Sequence, residues 1–334
     1  MYNYVKTLTA ISSVSGREKA VSDKLATMIA PFCDRVYTDP MGNLIAKKEG
    51  YGPVSTKKKI LLCAHMDEIG FLITGINEKG FLRVAPIGGI RFVAAAYTKV
   101  LFENGMRGIM VPEVGADPSK LGADNVVIDI GAKDKKEAEK KVHVGDFCVL
   151  EPGITRLCGK RIAGRPLDDR VGCAILLSVA EKLKDGGCCD DVYFVFSVQE
   201  EVGLRGARTA AYGINPDYAL VFDVTGTGDE MNAKPMECCV GGGAAIKVKD
   251  ASVLCDAEMV DKLTALANEQ QIRYQHEILL AGGTDTAAIQ MTRGGVRVGG
   301  LSVPTRYIHS GVELLDLNDA QACAALAVAF VHGI

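Results

Sequence analysis

The sequence lacks the features that would assign it to several special classes of protein. It contains no tryptophan, and none of its 11 cysteines has the C-x-x-C spacing of a thiolate zinc site or a redox motif. No apolar stretch reaches the roughly 18 residues that cross a bilayer, and residues 1–11 lack the cationic start and apolar core of a secretory signal. We therefore expect a cytoplasmic protein with reduced cysteines and no membrane partner.

Charge of one sign is not in excess either. The 38 lysines and arginines are scattered along the chain and are balanced by 41 aspartates and glutamates, which gives a formal net charge of -3. We therefore expect no basic surface of the kind that attracts nucleic acid. Hydrophobic residues make up 48% of the chain and charged residues 24%, as in ordinary globular proteins. At 334 residues the length favours two domains, or one large domain with an insertion.

Two regions with different patterns of secondary-structure signals predict the domain organisation. Residues 69–162 contain many short strand-like pieces separated by glycines and charged turns, which is typical of a small all-β domain inserted into another fold. After Gly164, strand and helix patterns alternate regularly, which predicts a mixed, mostly parallel sheet flanked by helices on both faces. We therefore predict an α/β fold in which residues 1–68 and 163–334 form the main domain and residues 69–162 form the inserted one.

A capping-box pattern predicts the first long helix. Ser15 is followed three residues later by Glu18, and apolar residues then recur at helical spacing as far as Cys33. A continuous apolar run at residues 60–64 is typical of a strand buried in the middle of a sheet. We therefore expect an amphipathic helix over residues 15–33 and a central strand at residues 60–64.

Two polar side chains follow this central strand directly. In open α/β sheets, ligands bind beyond the carboxyl ends of the strands, where His65 and Asp67 lie. Two residues apart on an extended chain, their side chains point to the same side. An imidazole that binds a metal commonly donates its other N–H group to a carboxylate, and Asp67 could be that partner. Taken alone, the pair fits a solvated strand end equally well.

Further acidic and imidazole side chains occupy similar places. Asp168 opens a predicted helix, where it could also serve as a cap. Glu200 and Glu201 follow one apolar strand, Asp223 ends another, and His309 follows a third. Adjacent side chains at a strand end diverge, so one of the two glutamates can bind metal while the other holds water. Each position alone is weak evidence for a functional site, but together the positions predict one site.

The donor atoms of this set predict a metal centre. Carboxylate and imidazole ligands without thiolate suit zinc, cobalt or manganese. Two such ions about 3.5–4 Å apart can generate a bridging hydroxide near neutral pH and polarise a carbonyl. Glu200 would then be the group that carries a proton from water to the leaving amine. We therefore predict two divalent metal ions, bound by His65, Asp168, Glu201, Asp223 and His309.

Four ordered motifs contain these residues. They are AHMDEIG at residues 64–70, LDDRVG at 167–172, VQEEVGLRGA at 198–207 and PTRYIHS at 304–310. Together they resemble the glutamyl and tetrahedral aminopeptidase family of co-catalytic metallopeptidases, and the resemblance extends over nearly the whole chain. It implies a zinc-peptidase-like fold and an aminopeptidase that removes N-terminal residues from short peptides.

The resemblance also implies roles for individual residues and for the inserted domain. His65 would bind one metal, Asp168 would bridge both metals, and Glu201 and Asp223 would bind one metal each. His309 would complete the second site. Asp67 would orient His65, and Glu200 would be the general base. The inserted domain would be a β-barrel-like dimerisation domain, and dimers would assemble into a hollow tetrahedral dodecamer that admits only peptides. The loop at residues 282–285 would line the substrate site.

Three other functions remain open at this stage. A deacylase or carboxypeptidase could use the same dimetal centre. An endoglucanase also needs two carboxylates, but it would leave His65 and His309 without a role, and sugar sites favour aromatic platforms, whereas this chain has no tryptophan. A non-catalytic assembly stabilised by metal is the third alternative.

Overall fold

The computed structural model describes residues 1–334, except for the side chains of residues 185 and 186. The strands, in chain order, are β1 (Arg35–Thr38), β2 (Leu44–Lys48), β3 (Lys59–His65), β4 (Gly70–Ile76), β5 (Leu82–Ile87), β6 (Lys99–Phe102), β7 (Arg107–Pro112), β8 (Val126–Asp129), β9 (Phe147–Leu150), β10 (Gly153–Arg156), β11 (Arg161–Arg165), β12 (Asp191–Ser197), β13 (Tyr218–Thr225), β14 (Ala244–Lys249), β15 (Tyr274–Ile278), β16 (Arg297–Arg306) and β17 (Glu313–Asp316). The α-helices are α1 (Tyr2–Leu8), α2 (Lys19–Ile29), α3 (Phe92–Ala95), α4 (Lys135–Ala138), α5 (Arg170–Gly186), α6 (Arg205–Ile214), α7 (Ala257–Glu269), α8 (Asp285–Gln290) and α9 (Leu317–Gly333). Among the described residues, no helix is long and apolar enough to cross a membrane.

The large sheet is mixed, with its parallel strands at the centre. The order is β1-β2-β12-β3-β13-β16-β17-β11-β10, and β14 joins β15 to β16. The neighbours β12, β3, β13 and β16 are parallel, and so are β14 and β15, whereas the remaining pairs of the sheet are antiparallel. The predicted mixed α/β fold is confirmed. The expectation of a mostly parallel sheet holds for the four central strands and the pair of β14 and β15, but not for the sheet as a whole, because short links join β1 to β2 and β10 to β11 as antiparallel hairpins.

Helices cover both faces of this sheet. Along β3, Ile60 and Leu62 face the core formed with α5 and α9, while Leu61 and Cys63 face the core formed with α6 and α8. All four side chains are at most 1% exposed. Because alternate side chains of a strand point to opposite faces, a strand covered on both faces needs apolar residues at every position. This explains the continuous apolar run that leads to His65.

The strands β4 to β9 form a closed barrel in the order β4-β5-β8-β7-β6-β9. Each strand contributes at least one side chain that is at most 1% exposed, and these include Phe71, Leu82, Val100, Met110, Ile128 and Cys148. A barrel leaves no unpaired edge and builds its own core. β10 pairs with β11 in the large sheet, so the last part of the predicted insertion at residues 69–162 lies outside the barrel.

The capping-box prediction at the start of the chain is wrong. The helix α2 begins at Lys19, and Glu18 precedes it without a side-chain capping bond. The Ser15 hydroxyl instead donates to Oδ2 of Asp67 at 2.6 Å. The carboxylate of Glu18 accepts from the backbone N–H groups of Gly16 at 2.7 Å and Gln199 at 3.2 Å. A tertiary contact with the segment after β3 has replaced the local cap.

Candidate metal centre

The carboxyl ends of the central strands meet at one edge of the large sheet. Parallel neighbours end on the same side, and a crevice forms beyond them. His65 ends β3, Glu201 follows β12, Asp223 lies near the end of β13, and His309 follows β16. Asp168 reaches the same place from the turn between β11 and α5. The structure therefore brings together the five predicted ligands.

The five side chains form two groups that share Asp168. We call His65, Asp168 and Asp223 the first metal position, and Asp168, Glu201 and His309 the second metal position. Within each group the candidate ligand atoms lie within 4.8 Å of one another. Nε2 of His65 is 3.0 Å from Oδ1 of Asp168, and Nε2 of His309 is 3.4 Å from Oδ2. Asp168 thus offers a different oxygen to each position, as a bridging ligand would.

The charges of this cluster favour bound cations. Burial, together with the negative charge of Asp168, raises the pKa of both Glu201 and Asp223. Burial favours the neutral form of His309, but hydrogen bonds to Asp168 and Glu201 raise its pKa to about 11. The carboxylates are therefore crowded, and they hold protons on the imidazoles. Nitrogen and oxygen donors in this excess of negative charge suit divalent zinc, cobalt or manganese.

Both imidazoles are oriented by backbone carbonyl groups. Nδ1 of His309 lies 2.8 Å from the carbonyl oxygen of Gly89, and Nδ1 of His65 lies 3.1 Å from that of Asp67. A carbonyl oxygen can only accept, so Nδ1 carries the proton in each ring and Nε2 faces the metal position. The carboxylate of Asp67 is further from Nδ1 of His65, at 3.5 Å.

The carboxylate of Asp67 makes its shorter contacts with other groups. It accepts from the backbone N–H of Glu200 at 3.0 Å, from that of Glu201 at 3.2 Å and from the Ser15 hydroxyl. Burial of Asp67 opposes its ionisation, but the charge of the nearby His65 and the hydrogen bond from Ser15 keep its pKa low. The side chain therefore ties the end of β3 to the turn that carries both glutamates.

The chain is similar to known proteins over nearly its whole length. The sequence model of the M42 glutamyl aminopeptidase family matches residues 42–326. The chain belongs to this family. It is 42% identical to an Acetivibrio thermocellus protein provisionally named an aminopeptidase, over 98% of this chain and 97% of that protein. It is 31% identical to the lysyl aminopeptidase of Pyrococcus furiosus, over 99% of this chain and 96% of that enzyme.

Solved structures give the same family. The aminopeptidase APDkam598 of Desulfurococcus kamchatkensis aligns with a TM-score of 0.94 and 36% identity, over 100% of this chain and 95% of that chain. The TET1 peptidase of Pyrococcus horikoshii, which can assemble into a tetrahedron or a large octahedral shell, aligns with a TM-score of 0.89 and 34% identity, over 100% of this chain and 99% of that chain. A Thermotoga maritima protein named endoglucanase also aligns, with a TM-score of 0.81 and 30% identity over 99% of this chain and 97% of that chain. The resemblance noted in the sequence is confirmed, and this M42 protein is a peptide hydrolase.

Beneath its metal centre, the M42 chain buries a charge network that the sequence analysis missed. Arg165 donates to Oε2 of Glu68 at 3.1 Å and to the carbonyl oxygen of Ser310 at 3.1 Å. The other oxygen of Glu68 lies 3.6 Å from Nη2 of Arg170. The side chains of Glu68, Arg165 and Arg170 are at most 1% exposed. The network thus connects the segments that carry His65 and His309.

A further buried carboxylate holds the segment of the bridging aspartate. Oε2 of Glu313 accepts from the backbone N–H of Leu167 at 2.6 Å and from that of Asp168 at 3.1 Å. Burial raises the pKa of Glu313 to about 7, against the opposing charge of Arg165. In the sequence, Glu68 and Arg165 are charged residues three positions from a predicted ligand, and Glu313 is a charged residue among apolar ones; none of these patterns indicates a network.

The centre of this M42 peptidase opens into a chamber of about 370 Å³. Of the loop predicted to line the substrate site, Gly282, Gly283 and Thr284 do line the chamber. Asp285 is buried instead, and its carboxylate accepts from the Ser197 hydroxyl at 2.5 Å. Gly89 of the barrel also contributes to the wall, so both parts of the fold shape the chamber.

Proposed function

We propose that this protein is a metal-dependent aminopeptidase that removes N-terminal residues from short peptides through a centre of two divalent cations. Zinc or cobalt suits the donor set best, and manganese is a further candidate. The observation that carries the proposal is the sharing of Asp168 by two ligand groups, one with His65 and Asp223 and one with Glu201 and His309. Membership of an aminopeptidase family supports the same reaction.

The cations, when bound, would activate a water molecule and polarise the scissile carbonyl. Glu200 supplies the proton transfer. It lines the chamber, belongs to neither metal position, and is held by the bond from its backbone N–H to Asp67. Burial and the negative charge of Asp223 raise its pKa well above the usual value, although His65 opposes this. That raised pKa belongs to the metal-free protein; bound cations would offset the surrounding negative charge, and the carboxylate can then take a proton from water and deliver it to the leaving amine nitrogen.

Asp67 acts as a positioning residue in this scheme. Its two oxygens hold the backbone of Glu200 and Glu201, so the general base and a ligand of the second metal position share one anchor. Its backbone carbonyl fixes the tautomer of His65, which belongs to the first metal position. Loss of the Asp67 carboxylate should therefore disturb both metal binding and proton transfer.

Assembly is a second part of the proposal. We assign residues 1–68 and 163–334 to the catalytic domain and residues 69–162 to a dimerisation domain, with dimers building a hollow dodecamer in the cytoplasm. The barrel strands β4 to β9 form the body of the dimerisation domain, and β10 connects it to the large sheet. The barrel carries exposed apolar side chains at Val93, Tyr97 and Ile109, and the TET1 peptidase of similar structure forms closed shells. Native mass spectrometry measures the state directly, and a monomer at micromolar concentration would contradict this part.

The glutamine substitution of the proposed base tests the mechanism. Glu200→Gln should abolish turnover of a leucyl p-nitroanilide while both metals stay bound, because an amide cannot accept the proton. Metal content is measured by elemental analysis after gel filtration. Loss of metal from this variant would show that Glu200 is a ligand and that the roles of Glu200 and Glu201 are exchanged.

The rival functions are separated by substrate chemistry. Peptides with a free N-terminus, N-acetylated peptides and cellulose are offered to the same preparation, with and without added zinc or cobalt. Turnover of free N-termini alone, and only with metal, supports the proposal. Turnover of blocked peptides would indicate a carboxypeptidase or deacylase, cellulose cleavage an endoglucanase, and no turnover at all a metal-stabilised scaffold.

A further inference from the structure

The wall of the chamber divides into a charged part and a neutral part. Among the described residues that line it, the charged side chains are the metal ligands and Glu200. The rest form what we call the neutral wall, which consists of Leu204, Val224, Thr225, Gly226, Leu279, Gly282, Gly283, Thr284 and Ile308, with Gly89 of the barrel. Family membership does not settle what this wall binds, because relatives include a lysyl aminopeptidase in a family named for glutamyl aminopeptidase.

Aliphatic side chains of the neutral wall lie directly beside the metal centre. Leu204 closes the turn after β12, and its own backbone N–H donates to the carbonyl of Glu200 at 2.9 Å. Ile308 directly precedes His309, and Leu279 lies in the wall of the same chamber. In an aminopeptidase the free α-amine and the scissile carbonyl are attached to one Cα. The N-terminal side chain of the substrate therefore starts next to the metal centre and must lie against this wall.

Two cationic side chains near the neutral wall, Lys247 and Arg306, are already paired with carboxylates. Nζ of Lys247 contacts Glu277 and lies 3.4 Å from Asp250, in a cluster that is at most 2% exposed. Arg306, two residues before Ile308, is held by Asp229 through bonds of 3.0 and 2.6 Å. Neither cation is therefore available to an acidic substrate side chain.

From this geometry we propose that the chamber selects peptides whose N-terminal side chain is aliphatic and uncharged, of the leucine type, over acidic and basic ones. The inference rests on the proposed aminopeptidase function. An acidic or basic side chain would lose its hydration against the neutral wall without gaining a partner. A leucine-type side chain gains from burial against Leu204, Leu279 and Ile308.

A series of p-nitroanilides tests the inference on the metal-loaded wild-type enzyme. We expect kcat/KM for leucyl p-nitroanilide to exceed the values for the glutamyl and lysyl compounds by on the order of 100-fold, because an unpaired charge is strongly disfavoured in a neutral pocket. A glutamyl or lysyl preference would overturn the substrate inference alone. Failure to cleave any free aminoacyl compound, with metal bound, would overturn the proposed function instead.

Variants of the neutral wall sharpen the test. Leu279→Arg should raise the ratio of glutamyl to leucyl turnover by about tenfold or more, because the arginine supplies a counter-charge for the acidic side chain. Leu279→Glu should raise the ratio of lysyl to leucyl turnover by a similar factor, because the glutamate supplies a counter-charge for the basic side chain. The neighbouring Leu280 is 82% exposed and does not line the chamber, so Leu280→Arg and Leu280→Glu are matched controls. Equal ratio changes at both positions, or none at Leu279, would refute the assignment of the wall. The wild-type series decides the proposal even if a wall variant fails to fold.

Discussion

Replacing Glu68 with glutamine tests whether the buried charge network stabilises the fold. Glu68 lies between Arg165 and Arg170 and accepts from the backbone N–H of Ser13 at 2.9 Å. Glutamine keeps the size of the side chain and one acceptor oxygen. It removes the negative charge that faces two buried guanidinium groups, so the perturbation is electrostatic rather than steric.

The expected loss of stability is large for a single substitution. Removing one partner of a buried ion pair costs about 3–5 kcal/mol, because the other charge stays buried without compensation. The side chains of Glu68, Arg165 and Arg170 are at most 1% exposed, so water screens little of the electrostatic interaction between them. Burial already lowers the pKa of Arg170 against the effect of Glu68. Since the amide still accepts one bond, we expect the lower end, about 3 kcal/mol.

The measurement is urea unfolding of the metal-free protein, followed by circular dichroism. Glu258→Gln is the matched control, because Glu258 pairs with Arg297 on the surface, where the side chains are 76% and 51% exposed. We expect the control variant to lose less than about 1 kcal/mol of unfolding free energy. The double variant Glu68→Gln/Arg165→Met should lose less unfolding free energy than the sum of the losses of the two single variants. If Glu68→Gln unfolds at the same urea concentration as the control, the reasoning about the network is refuted.

Three further outcomes follow from the centre itself. Gly88→Ala should lose metal from the second position, because a Cβ there would lie 2.7 Å from Ile69 and 3.2 Å from Cβ of Glu201. Gly105→Ala shares a positive φ but faces open space, so elemental analysis should find its metal intact. The raised pKa of His309 stabilises the metal-free fold below pH 6.5, and this contribution is lost as the pH rises through about 11. Zinc binding at pH 7 should therefore release protons, and the observed heat of binding should differ between two buffers of different ionisation enthalpy; equal observed heats in the two buffers would contradict this. Asp223→Ala should bind one metal instead of two, and loss of both would show that the positions are not separable.

The sequence was sufficient to predict most of the residues gathered at the centre, for a definite physical reason. His65, Glu201, Asp223 and His309 each follow or end a central parallel strand, and apolar runs mark those strands. Parallel strands end at a common edge, so residues far apart in the chain could be placed together without any contact information. Asp168 comes from a turn after an antiparallel strand, and its motif rather than its strand indicated it.

The supporting contacts could not be predicted in this way. The bond between His309 and the carbonyl of Gly89 joins residues 220 positions apart, and a backbone acceptor leaves no trace in residue type. Ser15 showed a local capping pattern, but its hydroxyl is used by Asp67 in a contact over 52 positions. Local propensity is overridden wherever a tertiary partner offers a better hydrogen bond. Such cases concentrate around the metal centre, where several segments have to be fixed at once.

The barrel takes part in the chemistry of the centre as well as in any assembly. Gly89 belongs to the link between β5 and α3, yet its carbonyl sets the proton position on the His309 ring. The adjacent Gly88 leaves the space beside Glu201 that a side chain would fill. The second metal position therefore has its ligands from the main sheet and its alignment from the barrel. A shift of the barrel against the sheet would therefore change the orientation of His309, whereas His65 is oriented by the carbonyl of Asp67 and Asp223 lies on β13.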